Sequence, residues 1–279
     1  MKNGLYIVST PIGNMEDITF RAVETLKSVD MIACEDTRVS KKLLSKLSID
    51  KPLFPYHDHN EVQKSDYIID LITNQNKSIA LISDAGCPLI SDPGYKLVAK
   101  AKENNVDVTS IPGASAVITA MQVSGLPSNK FFFAGFIPNK EKARFDEISK
   151  YKNLDATIIF YESARRIKKS IEAISQIYPN RELCIARELT KLYEETINGT
   201  ASEIIEKLEN RELKGEIVLL ISPPSENENK LSEDDLISLI KNKLEVMKLK
   251  SAVKEIVETH GLNKNEVYDL ALKIKNEEI

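Results

Sequence analysis

The sequence is poor in cysteine and histidine, with three of each in 279 residues. Cys34, Cys87 and Cys184 are widely spaced and odd in number, so they predict neither a disulfide framework nor a cysteine metal site. Three histidines are too few for a histidine-based zinc site. Their one cluster, His57-Asp58-His59, is interpreted as polar loop groups in preference to metal ligands. We therefore expect no metal and a reducing, cytoplasmic location.

Long hydrophobic runs are also missing, since no apolar stretch approaches the roughly 18 residues needed to span a bilayer. The segment Met1–Gly4 leads directly into a strand-like run and has no apolar signal-peptide region, so we expect no membrane association. Lys and Arg number 38 against 42 Asp and Glu, a net charge of −4. This balance argues against a protein that coats nucleic acid, but it permits a local basic surface.

The first 112 residues alternate strand-like and helix-like segments. Strands are predicted at Gly4–Ser9, Met31–Cys34, Ser78–Ile82 and Val106–Ile111, with a loop or short strand in Pro52–Asn60. Helices are predicted at Ile18–Ser28, Val39–Leu47, Glu61–Thr73 and Tyr95–Glu103. This alternation is typical of a mainly parallel α/β sheet covered by helices on both faces. The loops after the first, second, fourth and fifth strands are then expected to converge at one edge.

The loop Ser83–Gly94 stands out within this pattern. Its twelve residues exceed the two to six that usually join a strand to a helix. Its glycines allow close backbone approach to a ligand, and Asp84 and Asp92 place carboxylates at the sheet edge. The loop therefore predicts a binding site. The alternative is an ordinary turn, with Asp92 capping the next helix and Pro93 at its first position.

The second half is predicted to form an antiparallel or mixed sheet. Leu183–Arg187 and Tyr193–Asn198 look like consecutive strands with no helix between them. Further strands are expected at Lys130–Phe136, Ala156–Tyr161 and Glu216–Ile221, and helices at Lys140–Lys150, Ala164–Ile177 and Thr200–Leu208. The predicted organisation is an N-terminal α/β domain, 1–112, a C-terminal α/β domain, 113–224, and a linker with a helical tail, 225–279.

The tail follows a polar linker, Pro223–Lys230, that has no periodicity. Its predicted helices are Ser232–Met247, Ser251–His260 and Lys264–Lys275, and the turn Gly261-Leu262-Asn263 resembles that of a helix-turn-helix. The tail is interpreted either as a helical appendage packed on the second α/β domain or as a nucleic-acid reader.

Nine short motifs occur in order along the chain. They are Ser9–Asn14, Glu35–Arg38, Ser83–Gly94, Pro112–Ala116, Ser124–Pro127, Gly135–Pro138, Phe160–Ser163 with Arg165-Arg166, Arg187–Lys191 and Gly215-Glu216. Together they make the chain resemble the tetrapyrrole-methylase-like superfamily of S-adenosylmethionine-dependent methyltransferases, and within it the bacterial enzymes that methylate small-subunit ribosomal RNA. Two residues depart from that pattern: Cys87 stands where the family usually has Thr, and Asp58 where it usually has Glu.

The resemblance implies two αβα domains with the cofactor in a cleft between them, and a homodimer. It implies an S-adenosylmethionine-dependent 2′-O-methyltransferase that acts on a cytidine in the decoding region of small-subunit (16S) ribosomal RNA. It also implies a set of cofactor-binding residues: Pro11, Gly13, Ser83, Asp84, Ala85, Gly86, Ile90, Ser115, Ala116, Tyr161, Glu162 and Glu188. Among these, Asp84 is the expected electrostatic partner of the cofactor's positive groups.

Catalysis and RNA binding need further groups. Because a ribose hydroxyl is a poor acid, a general base would help. The candidates at strand ends are Glu35, Asp36, Glu188 and Lys191, and at least two of them are expected to form salt bridges with Arg38 or Arg187 instead. Expected RNA contacts are Arg38, Arg165 and Arg166. The basic residues Lys140, Lys142, Arg144, Lys168, Lys169, Lys248, Lys250 and Lys254 are interpreted as phosphate contacts or solvated helix faces.

Two other functions remain open at this point. One is methylation of a small tetrapyrrole precursor, although the helical tail and the basic clusters favour RNA. The other is a binding module that kept the fold without activity, although the intact Pro/Gly loops favour an enzyme. Cofactor binding would distinguish either methyltransferase from an inactive binding module. The identity of the methyl acceptor would distinguish a ribosomal RNA methyltransferase from a tetrapyrrole methyltransferase.

Overall fold

The computed structural model describes residues 1–225, 233–260 and 262–276. The described chain separates into two compact units, 1–151 with 156–222 and 152–155 with 223–279. The first unit contains two five-stranded sheets, one from each half of the chain. The predicted division at residue 112 falls between these sheets and stays a prediction. Among the described residues, no helix has both the length and the apolar character needed to cross a bilayer.

The first sheet is wholly parallel, as the alternation predicts. Its strands are β1 (Gly4–Val8), β2 (Met31–Cys34), β3 (Leu53–Pro55), β4 (Ser78–Ile82) and β5 (Val108–Ile111), in the order β3-β2-β4-β1-β5. Each neighbouring pair is parallel. The carboxyl ends of all five strands therefore lie at one edge of the sheet. The chain adds strands toward one side of the sheet as far as β3, and then returns to place β4 and β5 toward the other side. Such a switch point is where open α/β sheets form binding crevices.

Helices cover both faces of this sheet. They are α1 (Phe20–Ser28), α2 (Thr37–Lys46), α3 (Glu61–Thr73) and α4 (Tyr95–Glu103). Because side chains alternate along a strand, β4 sends Ile79 and Leu81 into the core with α3 and α4. The intervening Ala80 and Ile82 enter the core with α1 and α2. This explains why β4 is buried along its whole length and reads as a continuous apolar run.

The second sheet is mixed, as predicted. Its strands are β6 (Phe131–Phe136), β7 (Thr157–Ser163), β8 (Glu182–Arg187), β9 (Glu195–Thr200) and β10 (Glu216–Ile221), in the order β6-β7-β10-β8-β9. The pair β6–β7 is parallel and the other three are antiparallel. The prediction of Tyr193–Asn198 for the ninth strand is wrong by two residues, because Lys191 and Glu194 take part in a tight turn before the strand begins.

Three helices of this half, α6 (Glu141–Ser149), α7 (Ile167–Ile177) and α8 (Ala201–Lys207), lie near their predicted positions. A further helix, α5 (Ala116–Val123), was missed by the sequence interpretation, which placed a domain boundary there. Val117, Ala120 and Met121 of α5 enter one core with strand residues of the second sheet. Ile12, from the loop after β1, enters the same core and so joins the two halves of this unit.

The tail forms three helices close to the predicted ones: α9 (Glu233–Val246), α10 (Leu249–His260) and α11 (Lys264–Lys275). They share a small apolar core that includes Ile240, Val253 and Ala271. Most of the predicted linker, residues 226–230, lies outside the described residues, as does Gly261 of the predicted turn.

Candidate functional site

A cavity of about 350 Å³ lies at the carboxyl edge of the first sheet and is lined by both halves of the first unit. Loops after β1, β2, β4 and β5 supply one side, and strands β6, β7, β8 and β10 with their loops supply the other. The lining residues are Ile12, Glu35, Asp84, Ala85, Gly86, Cys87, Ile90, Ser91, Asp92, Ser115, Ala116, Phe136, Tyr161, Glu162, Ala186, Leu189, Glu216, Ile217 and Val218. The predicted convergence of loops is confirmed.

The loop after β4 is held in shape by the loop after β1. Thr10 and Gly86 exchange backbone hydrogen bonds of 2.8 and 3.1 Å, and the Thr10 hydroxyl donates to the Ser83 carbonyl at 3.2 Å. Gly86 has a φ of +78°, which favours glycine. Leu89 and Ser91 also adopt left-handed backbone conformations, and such strained residues cluster at binding sites. The alternative of Asp92 as a helix cap is wrong, because α4 begins at Tyr95 with Gly94 as its cap.

Three carboxylates, those of Glu35, Asp84 and Asp92, define an acidic rim on the cavity. None of them is in an ion pair among the described residues. Burial raises the pKa of Glu35, and repulsion from Asp92, Asp84 and Asp58 raises it further. Burial likewise raises the pKa of Asp84 and of Asp92. A cluster of partly desolvated like charges favours a ligand that carries positive charge.

The opposite wall of the cavity is apolar and aromatic. Tyr161 contacts Phe133 and Phe136 edge to face, with ring centroids 4.8 and 5.3 Å apart. Burial raises the pKa of Tyr161 to about 12, so its hydroxyl is neutral at ordinary pH. Phe136 is 58% exposed although it is a large apolar residue. The site therefore combines an acidic rim with an apolar wall, a lining that suits an amphipathic cation.

Eight of the twelve predicted cofactor-binding residues line this cavity. They are Asp84, Ala85, Gly86, Ile90, Ser115, Ala116, Tyr161 and Glu162. Pro11 and Ser83 are buried beside it, and the Ser83 hydroxyl donates to the Ala85 carbonyl at 3.3 Å. Gly13 instead packs against Thr190 and Lys191, where a Cβ atom would come within 2.5 Å of Lys191 Cγ. Pro11, Gly13 and Ser83 thus shape the loops around the cavity.

Glu188 and Lys191 do not line the cavity but form a small network with Glu216, which does. Lys191 Nζ lies 2.9 Å from Glu188 Oε1 and 2.8 Å from Glu216 Oε2. Burial alone would raise the pKa of Glu188, but hydrogen bonds from Lys191 and the Glu216 backbone lower it. Burial alone would lower the pKa of Lys191, but its bonds to Glu216 and Glu188 raise it. Both residues therefore form salt bridges, but with each other and with Glu216, whereas the sequence predicted Arg38 or Arg187 as partners.

Glu162 borders the cavity, but its carboxylate is bonded to other groups of the protein. Its side chain is fully buried, and its carboxylate lies 2.7 Å from Arg166 Nη2. It also accepts hydrogen bonds from the Ser163 backbone at 2.7 Å and from the Ser170 hydroxyl at 2.6 Å. Arg166 in turn donates to the Ile137 carbonyl at 3.2 Å. Glu162 and Arg166 therefore hold the loop that follows Phe136.

We expect the Glu162→Ala substitution to lower the free energy of unfolding by about 3 kcal/mol, because it removes one partner of a buried ion pair. Urea unfolding would measure the change. Glu172→Ala, an exposed site on α7, is the matched control and should change stability by less than ~0.5 kcal/mol. A Glu162→Ala protein as stable as the parent would show that the pair contributes little to the fold.

The predicted RNA contacts differ in their surroundings. The Arg38 side chain is 87% exposed and pairs with Asp36 at 2.6 Å. Arg165 is exposed, whereas Arg166 is committed to Glu162 and the Ser163 hydroxyl. Arg144 is buried and donates to the Asn139 carbonyl at 2.8 Å, so the prediction of a phosphate contact there does not fit. Of the paired arginines, Arg165 is the accessible one.

Several lining residues were not assigned a role from the sequence. Asp92 was predicted from the sequence as a carboxylate at the sheet edge or a helix cap, but it was not included among the cofactor-binding residues. Phe136 and Glu216 belong to quoted motifs but were given no role. Ile12 and Val218 carry no sequence signal beyond hydrophobicity, so only packing reveals them. Among the described residues, no group of three His, Cys, Asp or Glu side chains is placed to hold a metal ion.

Comparison with known proteins gives two family matches. Residues 4–205 match the model of the tetrapyrrole (corrin/porphyrin) methylases, and residues 231–275 match that of the RsmI C-terminal HTH domain. Among curated proteins, a ribosomal RNA small subunit methyltransferase I from Rickettsia prowazekii is 50% identical over 230 residues, 82% of each chain. The protein of that name from Erythrobacter litoralis is 46% identical over 272 residues, covering 98% of this chain and 95% of its own.

Solved structures agree on the fold. A diphthine synthase superposes with a TM-score of 0.62 at 13% identity, over 80% of this chain and 92% of its own. The cobalt precorrin-4 methyltransferase CbiF gives a TM-score of 0.58 at 16% identity, over 78% and 94% of the two chains. At such low identity these likenesses bear on the architecture alone.

Proposed function

The chain belongs to the tetrapyrrole (corrin/porphyrin) methylase family, and from that membership we propose that it methylates the 2′-oxygen of a cytidine in the decoding region of small-subunit ribosomal RNA. Its relatives over most of its length are methyltransferases of small-subunit ribosomal RNA, and its methyl donor is S-adenosylmethionine. The observation that carries the proposal is the cavity with an acidic rim and an apolar wall where the loops of the parallel sheet converge.

The residues of the cavity fit the donor. S-adenosylmethionine supplies a methyl group on a positively charged sulfonium and also carries an ammonium group. The rim offers carboxylates that lack an ion-pair partner in the described chain, and their pKa values are raised. A cationic ligand relieves the repulsion among them. The volume of about 350 Å³ lies within the usual range for small-molecule sites.

We assign the donor's positive groups to Asp84, which the Asp36 backbone orients through a hydrogen bond of 3.2 Å. The loop residues Ala85, Ile90, Ser115 and Ala116 border the same space and offer backbone groups to the polar edges of the ligand. Their position on loops tied to a rigid sheet keeps these groups preorganised, which limits the entropy lost on binding.

Among the four candidates for general base, the surroundings favour Glu35. A base works best when its pKa lies near the operating pH, and the pKa of Glu35 is raised by burial and by neighbouring carboxylates. Hydrogen bonds from Arg38 lower the pKa of Asp36 to about 2, which makes it a weak base. Glu188 is paired and Lys191 is held protonated. We therefore propose that Glu35 takes the proton of the ribose hydroxyl, while Glu188 and Lys191 hold the loop.

Two surfaces support the remaining parts of the proposal. Arg165 is exposed, Arg38 is 87% exposed although it pairs with Asp36, and the helical tail matches a helix-turn-helix family model. A homodimer is supported by β6, an edge strand on which Phe131, Phe132 and Phe136 are 44%, 40% and 58% exposed. Large apolar side chains along an edge strand favour a protein partner. We propose a cytoplasmic location, where ribosomal subunits are made.

The test is transfer of labelled methyl from S-adenosylmethionine to small ribosomal subunits from cells that lack this protein. Nuclease digestion and mapping of the product should place the label on a ribose 2′-oxygen of one decoding-region cytidine. Naked small-subunit RNA, tested in parallel, shows whether assembly is required. Label on a base, or on no nucleotide at all, would contradict the proposal.

A second candidate is methylation of a small tetrapyrrole, which the family description favours. The extra tail, residues 231–275, and the identity to ribosomal RNA methyltransferases weigh against it. A tetrapyrrole precursor offered under the same conditions should accept no label. Transfer to it, with none to RNA, would replace the proposed acceptor while leaving the donor site intact.

A further inference from the structure

A second depression lies beside the cofactor cavity, along α2 and the segment that follows it. This α2 groove has a volume of about 960 Å³, and its polar and charged lining residues are Thr37, Arg38, Lys41, Ser45, Ser48, Asp50 and Lys51. Glu35 lines the cavity, while Thr37 and Arg38, two and three residues later, line the groove. The Cα atoms of Glu35 and Arg38 are therefore at most ~11 Å apart.

The charge of this segment is opposite to that of the chain as a whole. Residues 37–51 contain the cations Arg38, Lys41, Lys42, Lys46 and Lys51 and one acidic residue, Asp50, in a chain of net charge −4. In the described parts of the chain, Lys41 and Lys51 form no ion pair, so their charges are available. Lys41 is exposed and Lys51 is half-buried in the groove. A segment with five cations and one carboxylate, in which Lys41 and Lys51 keep unpaired charges, attracts a polyanion.

The cavity and the α2 groove attract ligands of opposite charge. The acidic rim attracts a cationic donor and repels phosphates, so a nucleic-acid backbone cannot follow the rim into the cavity. The α2 groove offers ammonium groups, with the hydroxyls of Thr37, Ser45 and Ser48 as further donors to phosphate oxygens. A strand that lies in the groove holds its phosphates away from the rim and can turn one unstacked nucleotide toward Glu35.

We propose that the α2 groove binds the phosphates of single-stranded RNA next to the nucleotide that is methylated. The proposal rests on the proposed function, because it supplies the backbone grip for that RNA substrate. Phosphate contacts position a strand without reading its sequence. Lys41 and Lys51 therefore set how tightly and in what place the RNA lies, and they do not select the base.

The test uses the double substitution Lys41→Gln with Lys51→Gln and unmodified small-subunit RNA transcribed in vitro. We expect the Kd for this RNA and its KM to rise roughly tenfold. The slope of log Kd against log salt should fall by about 1.4, or 0.7 for each lost contact to a single strand. Affinity for S-adenosylmethionine, measured by calorimetry, should be unchanged, which also shows that the variant is folded.

The matched control is Lys77→Gln with Lys102→Gln. Lys77 precedes β4 and Lys102 lies in the last turn of α4, and neither lines the groove or the cavity. This control should keep the parent's Kd and salt slope. Equal behaviour of the two double variants, with a parent that methylates RNA, would overturn the groove proposal alone.

Two other outcomes would also count against the groove. If the Lys41 and Lys51 variant binds naked RNA normally but binds assembled subunits poorly, the groove contacts a ribosomal protein. If the parent protein methylates neither small-subunit RNA nor assembled small subunits, the proposed function fails first and the groove proposal falls with it. If the parent acts on assembled subunits alone, the same two double variants are compared on subunits. The parent's own activity thus distinguishes the two failures.

Discussion

Substitution of Asp84 by asparagine is expected to weaken binding of S-adenosylmethionine by about 100-fold and to abolish most methyl transfer at ordinary donor concentration. Removing one charge of a partly buried charge pair costs about 2–5 kcal/mol, and 100-fold corresponds to about 2.7 kcal/mol. The shape of the cavity should persist, because asparagine can still accept the hydrogen bond from the Asp36 backbone. Calorimetry with the donor measures the loss directly.

The control for this variant is Asp146→Asn on the exposed face of α6, which should bind the donor as the parent does. Thermal unfolding of the Asp84→Asn protein without ligand should show no loss of stability. The pKa of Asp84 is raised, so its ionised form is disfavoured in the folded chain and its neutralisation does not cost stability at neutral pH. A well-folded variant with normal donor affinity would remove Asp84 from the binding site.

Substitution of Glu35 by glutamine is expected to lower kcat by a factor of about 10² to 10⁴, the usual contribution of a general base. The donor should still bind, because Asp84 and Asp92 remain. Single-turnover methyl transfer with saturating donor and RNA separates this effect from a change in binding. The neighbouring Asp36→Asn substitution is the control, since asparagine keeps the cap of α2, and kcat should change only a few-fold.

The pH dependence of methyl transfer provides a second test of Glu35 as the general base. A base must be deprotonated, and burial with repulsion from Asp92 and Asp84 raises the pKa of Glu35 above the usual range for glutamate. The kcat/KM of the parent for the donor, which reports the free enzyme, should therefore fall on acidification at a higher pH than an ordinary glutamate would give. Glu35→Gln should lose this dependence. A Glu35→Gln enzyme with normal kcat, or with the same acid limb, would show that another group takes the proton.

The parallel sheet and its converging loops were predictable because strong local signals mark them. The buried run Ser78–Ile82 and the long loop Ser83–Gly94 both appear in the structure where the pattern places them. The regular alternation of strands and helices then determines which strand ends meet, since parallel strands share one edge. The cavity follows from topology, without knowledge of any side-chain contact.

The part that could not be predicted depends on contacts between distant residues. Glu162 looks like a ligand-binding carboxylate in its motif, but Arg166, just before α7, pairs with it and Ser170 of α7 donates a hydrogen bond to it. Helix α5 was missed because it is only eight residues long and its packing partners lie in the second sheet. Likewise, the choice of Glu35 over Asp36 rests on Arg38, whose side chain turns back to Asp36.

The central claim is that the cavity between the loop after β4 and the strand β7 holds the methyl donor. A crystal structure of the protein with S-adenosylmethionine tests it most directly. The expected result is density for the ligand in this cavity, with a positive group of the donor within ion-pair distance of Asp84 and with Tyr161 along its apolar side. Density for the ligand elsewhere on the protein, with this cavity empty, would contradict the account.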